Sequence, residues 1–137
     1  MEGLIKITPD KNKAASIFKM LDKTLEMIKT IDIDKFPSNV TKEYYNIIRE
    51  LISVIALLDG YKTYGEGAHK SLIDYVEKNK KEVTSYEISL INELRITRNK
   101  IEYDGFFVEK IYIERRLEDI LILVEKLKKI IKEKNKL

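Results

Sequence analysis

The sequence predicts an all-α protein, an up-and-down antiparallel bundle of about five helices that makes one domain of residues 1–137. Three observations carry that reading. Only five glycines and two prolines interrupt the 137 residues, so the chain has few places to turn. Lys, Glu, Ile and Leu dominate, a composition that favours helices. Apolar residues recur at helical spacing through most of the chain, and neither an internal repeat nor a low-complexity linker divides it.

Thr8 followed by Pro9 reads as an N-cap with proline in the first turn. Ala14, Phe18, Leu21, Leu25 and Ile28 then mark a first helix from about Pro9 to Ile31. Asp32 to Asn39 holds Pro37 and Ser38 and reads as a connection. Tyr44, Ile48, Leu51, Ile55 and Leu58 form the stripe of a second helix that ends near Asp59-Gly60. Tyr61 to Gly67 reads as a loop or a helix break. His69, Leu72, Ile73 and Val76 share one face of a short third helix, which stops at Asn79-Lys80-Lys81. Thr84, with Glu87 three residues on, is a capping box. It opens a fourth helix with Ile88, Ile91, Leu94 and Ile101 inward and a stop at Asp104-Gly105. The fifth and longest helix runs from about Val108 to Lys134 on the heptad series Ile113, Leu117, Ile120, Val124, Leu127 and Ile131. Its turn Ile120–Val124 is apolar nearly all round and must be covered on every side. A second copy of the chain, making a homodimer, would cover it; so would the helix's own neighbours.

Composition narrows the function classes. The absence of cysteine excludes disulfides, zinc–thiolate sites and thiol nucleophiles. With His69 the only histidine, no transition-metal site is expected. Gly60, Gly65 and Gly67 are not spaced as a phosphate loop and no Lys-Ser/Thr follows them, so no nucleotide cofactor is expected from that motif. No stretch approaches the ~20 apolar residues of a membrane span. Residues 1–9 carry no long apolar run. The expectation is a soluble, cytoplasmic protein without a membrane partner. Net charge is only +3, from 26 basic and 23 acidic residues, and does not by itself imply nucleic acid. The basic excess is concentrated at Lys126–Lys136, where six lysines face one glutamate, Glu133. Lysines there complement a helix C-terminus, or they form a phosphate-facing patch.

The most informative stretch is Arg98-Asn99-Lys100-Ile101-Glu102-Tyr103-Asp104-Gly105, near the end of the fourth helix. Arg95 and Arg98 lie three residues apart on one helix face, where two guanidiniums repel unless an anion sits near them. A phosphate or carboxylate ligand fits the guanidinium fork. Glu93 or Glu102 would serve as well, and an Arg98–Glu102 surface pair is the plain alternative. On a regular helix Tyr103 lies about 140° around from Arg98, so the two meet only through a helix break or across a subunit boundary.

The Arg98-Asn99 pair and its surroundings resemble the arginine–asparagine signature of HEPN domains, small helical proteins found beside nucleotidyltransferases or acting as RNA-cutting toxins. Gly60-Tyr61-Lys62-Thr63 and the segment His69 to Tyr75 also look like the middle of some prokaryotic HEPN-like proteins, so the resemblance spans Leu57 to Gly105. It implies a homodimer of a defence or toxin–antitoxin-type system. It also implies a cleft at the dimer interface that takes RNA or a nucleotide, and a possible nucleotidyltransferase-type partner. In the family an arginine and a nearby histidine cleave RNA; this chain has Tyr103 where that histidine is expected. Arg95, Arg98, Asn99 and Tyr103 are therefore the expected ligand-binding residues, and Arg98 and Tyr103 the expected catalytic positions.

Cleavage of RNA needs a group to take the 2′-hydroxyl proton, and histidine titrates near neutrality. Tyrosine titrates near pH 10 and suits base stacking or hydrogen-bond donation better. His69 is the other candidate base, provided the third helix packs near Arg98. The expectation is binding of RNA, a nucleotide or a protein partner with weak or no nuclease activity. Two alternatives stand: a metal-independent ribonuclease using Arg98 with Tyr103 or His69, and a helical interaction module without a ligand site. The tyrosine pairs Tyr44-Tyr45 and Tyr61/Tyr64 read as residues at the edge of the core.

Overall fold

A computed structural model describes residues 3–135. Five helices follow one another as α1 (Lys11–Ile28), α2 (Pro37–Asp59), α3 (Ala68–Asn79), α4 (Ser85–Asp104) and α5 (Lys110–Asn135). Two three-residue strands accompany them, β1 (Leu4–Lys6) and β2 (Tyr61–Thr63). The all-α bundle expected from the sequence is the fold. No helix among the described residues is long and apolar enough to cross a membrane.

The helix ends follow from local chemistry. Asp10, not Thr8, caps α1: its carboxylate accepts from the Lys13 N–H at 3.0 Å, and a negative group suits the positive end of the helix dipole. Pro37 opens α2 at its first turn, where its missing N–H costs nothing. The helix therefore begins inside the segment expected to be a connection. The capping box at α4 is present in full: Thr84 accepts from Glu87 N–H, and the Glu87 carboxylate accepts from Thr84 N–H at 2.9 Å. Gly105 ends α4 at φ 63, and its N–H and that of Phe106 both reach the Lys100 carbonyl.

β1 and β2 replace part of the expected Tyr61–Gly67 loop. They pair antiparallel with Leu4 opposite Thr63 and Lys6 opposite Tyr61. Ile7 N–H extends the pairing to the Gly60 carbonyl at 2.7 Å. Strands of three residues are too short for alternation to register in a sequence.

Cross-helix contacts fix the directions. Lys128 pairs with Asp22 at 2.7 Å, and Asn135 donates to the Lys11 carbonyl, so α1 and α5 run antiparallel. Lys42 pairs with Glu102 at 3.3 Å, which sets α2 against α4. Glu93 with Arg116 and Glu87 with Lys126 set α4 against α5. α2 and α5 run the same way, since Val108 N–H donates to Ser38 Oγ at their starts and Lys134 pairs with Asp59 at their ends. They share the most extensive interhelical contact. The short α3 packs on α2 and α4.

The core is centred on α2, whose Tyr45, Ile48, Leu51, Ile52 and Ile55 are closed to solvent. The apolar turn of α5 is covered mostly from within: Ile120, Leu123 and Val124 are buried in the same core, and Ile122 remains 52% exposed. Leu123 is therefore a core residue rather than a face available to a second chain.

Candidate functional site

Three helices bring basic and aromatic side chains together on one side of α2. Tyr45 and Arg49 stand one turn apart on α2, Arg95 and Arg98 on α4, and His69 in the first turn of α3. Tyr45 is fully buried, and its ring lies 6.0 Å from that of His69. Arg49, Arg95 and Arg98 are all close enough to act electrostatically on both rings. α3 thus lies near Arg98, the condition under which His69 is a candidate base.

The polar groups of this cluster are incompletely satisfied. Tyr45 Oη, Asn46 Oδ1 and the Nε atoms of Arg49, Arg95 and Arg98 are buried without a hydrogen-bond partner. A buried donor or acceptor left unpaired costs about 1–3 kcal/mol, so several in one place is an expensive arrangement for a purely structural contact. The nearby acids do not relieve it. Glu93 forms a two-point bond with Arg116, at 2.6 and 3.1 Å, and Glu102 is held by Lys42 rather than by Arg98. Arg49 reaches only Glu50, at 3.7 Å. Among the described residues no carboxylate pairs with Arg95 or Arg98.

His69 responds to these surroundings. Burial, then the positive charges of Arg49, Arg98 and Arg95, hold its imidazole down to about 4 from the usual 6.5. The ring is neutral at pH 7, so one nitrogen accepts and the other donates. Burial pushes the Tyr45 hydroxyl up, against the three arginines, and it stays protonated.

Arg98 itself is half-buried. Its Nη1 donates to Asn99 Oδ1 at 3.3 Å, and its guanidinium lies 5.8 Å from the Tyr103 ring centroid. α4 runs unbroken to Asp104, so neither a helix break nor a second subunit is needed for Arg98 and Tyr103 to meet; the long arginine side chain reaches along the last turns. Tyr103 is 74% exposed and forms the outer edge of the cluster. Arg49 and Tyr45 are the members that sequence reasoning missed. Arg49 interrupts the run Ile47-Ile48 and Leu51-Ile52, which is the only signal the sequence offers for it.

Other candidates lie apart. A groove of about 390 Å³ lies against α1, α2 and β2, lined by Ile17, Val54, Leu57, Tyr61 and Leu72. A second, of about 630 Å³, lies where α4 passes into α5. Neither coincides with the arginine cluster, which is located by its charge and unpaired groups rather than by a void. Of the lysines toward the C-terminus, Lys126 pairs with Glu87, Lys128 with Asp22 and Lys134 with Asp59, while the exposed Lys129 and Lys132 have no ion-pair partner among the described residues. Lys136 lies outside the described residues. Among the described residues no three His, Asp or Glu side chains gather to hold a metal ion.

Compared with known proteins, the chain matches no family model, no curated protein and no solved structure.

Proposed function

We propose that this protein is a HEPN-like helical module of a prokaryotic defence or toxin–antitoxin-type system, which holds the phosphate of RNA or a nucleotide against Arg49, Arg95 and Arg98. The observation that carries this reading is three guanidiniums gathered around a neutral imidazole and a buried hydroxyl, with no carboxylate pairing Arg95 or Arg98 among the described residues. A phosphate offers several acceptor oxygens and matches the guanidinium fork. The Arg98-Asn99 resemblance supports the same ligand class and, with it, a homodimer and a nucleotidyltransferase-type partner. Tyr103 stands where the family's histidine is expected, and a tyrosine suits stacking or hydrogen-bond donation better than proton transfer. The module holds RNA more readily than it cuts it.

A second reading, a metal-independent ribonuclease, is favoured by one observation: His69 is neutral and beside Arg98. In that reaction His69 takes the 2′-hydroxyl proton and O2′ attacks the adjacent phosphorus. The P–O5′ bond breaks and the 5′ oxygen leaves with a proton from solvent, giving a 2′,3′-cyclic phosphate. Arg98 stabilises the charge on the phosphoryl oxygens. An imidazole held near 4 is a weak base, which limits this chemistry.

The test is single-stranded RNA with the natural protein and with Arg98→Ala, His69→Ala, Tyr103→Phe and Tyr103→His. The expected result is salt-sensitive binding, weakened about tenfold or more in Arg98→Ala, without robust cleavage. Robust cleavage lost in His69→Ala would establish the second reading, and loss in Tyr103→Phe would give that tyrosine a catalytic role. Absence of RNA and nucleotide binding would overturn both.

A further inference from the structure

The Arg49–Arg95–Arg98 cluster carries more positive charge than the surrounding fold answers. Of the acids on the helices that form it, Glu93 is paired with Arg116, Glu102 with Lys42, Glu87 with Lys126 and Asp74 with Lys70. Glu50 approaches Arg49 alone, at 3.7 Å. Arg98 Nη1 donates to Asn99 Oδ1 at 3.3 Å, a neutral acceptor that leaves the charge in place. Two of the three guanidiniums therefore have no carboxylate among the described residues.

The three charges also converge. Arg95 and Arg98 stand one turn apart on α4 and Arg49 comes from α2, yet all three act on the same two rings, Tyr45 and His69. Tyr45 is fully buried and closes the inner side. The arginine Nε atoms are buried as well, while each arginine as a whole is only partly so. The outer guanidinium nitrogens are thus the ones that meet a ligand, and several of them meet it together.

The number of forks bears on which phosphate fits. A phosphodiester inside a strand has two non-bridging oxygens and a single negative charge. A phosphomonoester at a chain end has three such oxygens and a charge of about −1.5 to −2 at pH 7. Each guanidinium fork takes its own share of oxygens and charge. Three forks match the monoester, whereas the diester leaves one of them without an oxygen.

We infer that the cluster is selective for a terminal phosphate, taking the phosphomonoester end of an RNA strand or of a mononucleotide in preference to an internal phosphodiester. The inference rests on the phosphate-binding reading above and narrows it from phosphate in general to the dianionic monoester.

The experiment is fluorescence anisotropy with short labelled oligo(A) strands that differ only at the unlabelled end: 5′-phosphate against 5′-hydroxyl, and 3′-phosphate against 3′-hydroxyl. AMP and adenosine serve as unlabelled competitors. A phosphorylated end should bind about tenfold or more tightly than its hydroxyl counterpart, the effect of one further charged hydrogen bond. Arg49→Ala, Arg95→Ala and Arg98→Ala should each bring the phosphorylated strand close to the hydroxyl-ended one. Arg49→Lys and Arg95→Lys keep the charge but lose the fork; they replace any alanine variant that does not fold and should show a smaller loss in the same direction. Displacement by AMP but not by adenosine extends the site to mononucleotides; a preference that AMP does not challenge assigns it to RNA ends. Equal binding of phosphorylated and hydroxyl-ended strands, weakened by Arg98→Ala, overturns this inference and leaves the phosphate reading standing. A preference that survives every arginine substitution also overturns it, since the selectivity then lies elsewhere. Failure to bind any strand or AMP sinks both.

Discussion

His69 reports on its surroundings through one number that is easy to measure. Because it is the sole histidine, its ring resonance in a proton NMR titration is unambiguous. The midpoint should fall near 4, and Arg98→Ala or Arg49→Ala should move it upward by removing a positive neighbour. The sign for stability follows. The folded value is lowered, so between about 4 and 6.5 the unfolded chain holds the proton and the folded one does not. Stability is undiminished above 6.5 and falls as pH drops through that window, by on the order of 2 kcal/mol after allowing for the ring's partial exposure. Denaturant midpoints at pH 7 and pH 4.5 check it, and His69→Gln should flatten the difference. Tyr45 makes the complementary case. Its buried hydroxyl has no partner, so Tyr45→Phe should leave stability unchanged or raise it by up to ~1 kcal/mol while weakening RNA. At this scale the sequence singled out Arg95 and Arg98 by their spacing, and Asn99 and Tyr103 only through the resemblance around Arg98. It did not reveal Arg49 or Tyr45, because what distinguishes them is the neighbour each meets from another helix.

At the scale of elements, legibility tracked whether the signal was local. The Thr84–Glu87 box needs only four residues and was readable; Thr84→Ala should cost about 1 kcal/mol by chemical denaturation. The stop at Asp104-Gly105 was readable for the same reason. Gly105 sits at φ 63, so Gly105→Ala should cost about 1 kcal/mol and loosen the connection that carries Phe106 and Phe107. The start of α1 was misplaced by two residues because Thr8 and Asp10 are both competent caps, and only the bond from Lys13 N–H decides between them. β1 and β2 were not readable, since each exists only through the other across the length of α1 and α2. The greasy turn of α5 was seen correctly as needing cover, but which helices supplied it is a question of packing: α2 does so, leaving Ile122 outside.

The whole molecule is tied together at one end by Asp59. Its carboxylate, at the end of α2, accepts from Tyr75 of α3 and pairs with Lys134 of α5 and, at 2.9 Å, with Lys80. Burial alone would push Asp59 up, but bonds from Lys134, Tyr75 and Lys80 outweigh it and hold the carboxyl below its usual range. The stability it contributes is present above the ordinary value of 3.8 and is lost as pH falls through the lower folded value. Asp59→Ala strands two lysines and should destabilise the fold by ~3 kcal/mol, read as a lowered denaturation midpoint. The proposed homodimer belongs to this scale as well. Sedimentation at high micromolar concentration should show twice the chain mass, and Leu123→Glu should unfold the protein rather than merely separate its copies.

The central claim is that Arg49, Arg95 and Arg98 hold phosphate beside His69. The most direct measurement follows the His69 ring resonance while a short single-stranded RNA is added. A bound phosphate offsets the three positive charges, so the resonance should shift saturably and its titration midpoint should climb from about 4 toward 6.5. A resonance and a midpoint unmoved at saturating RNA would contradict the account.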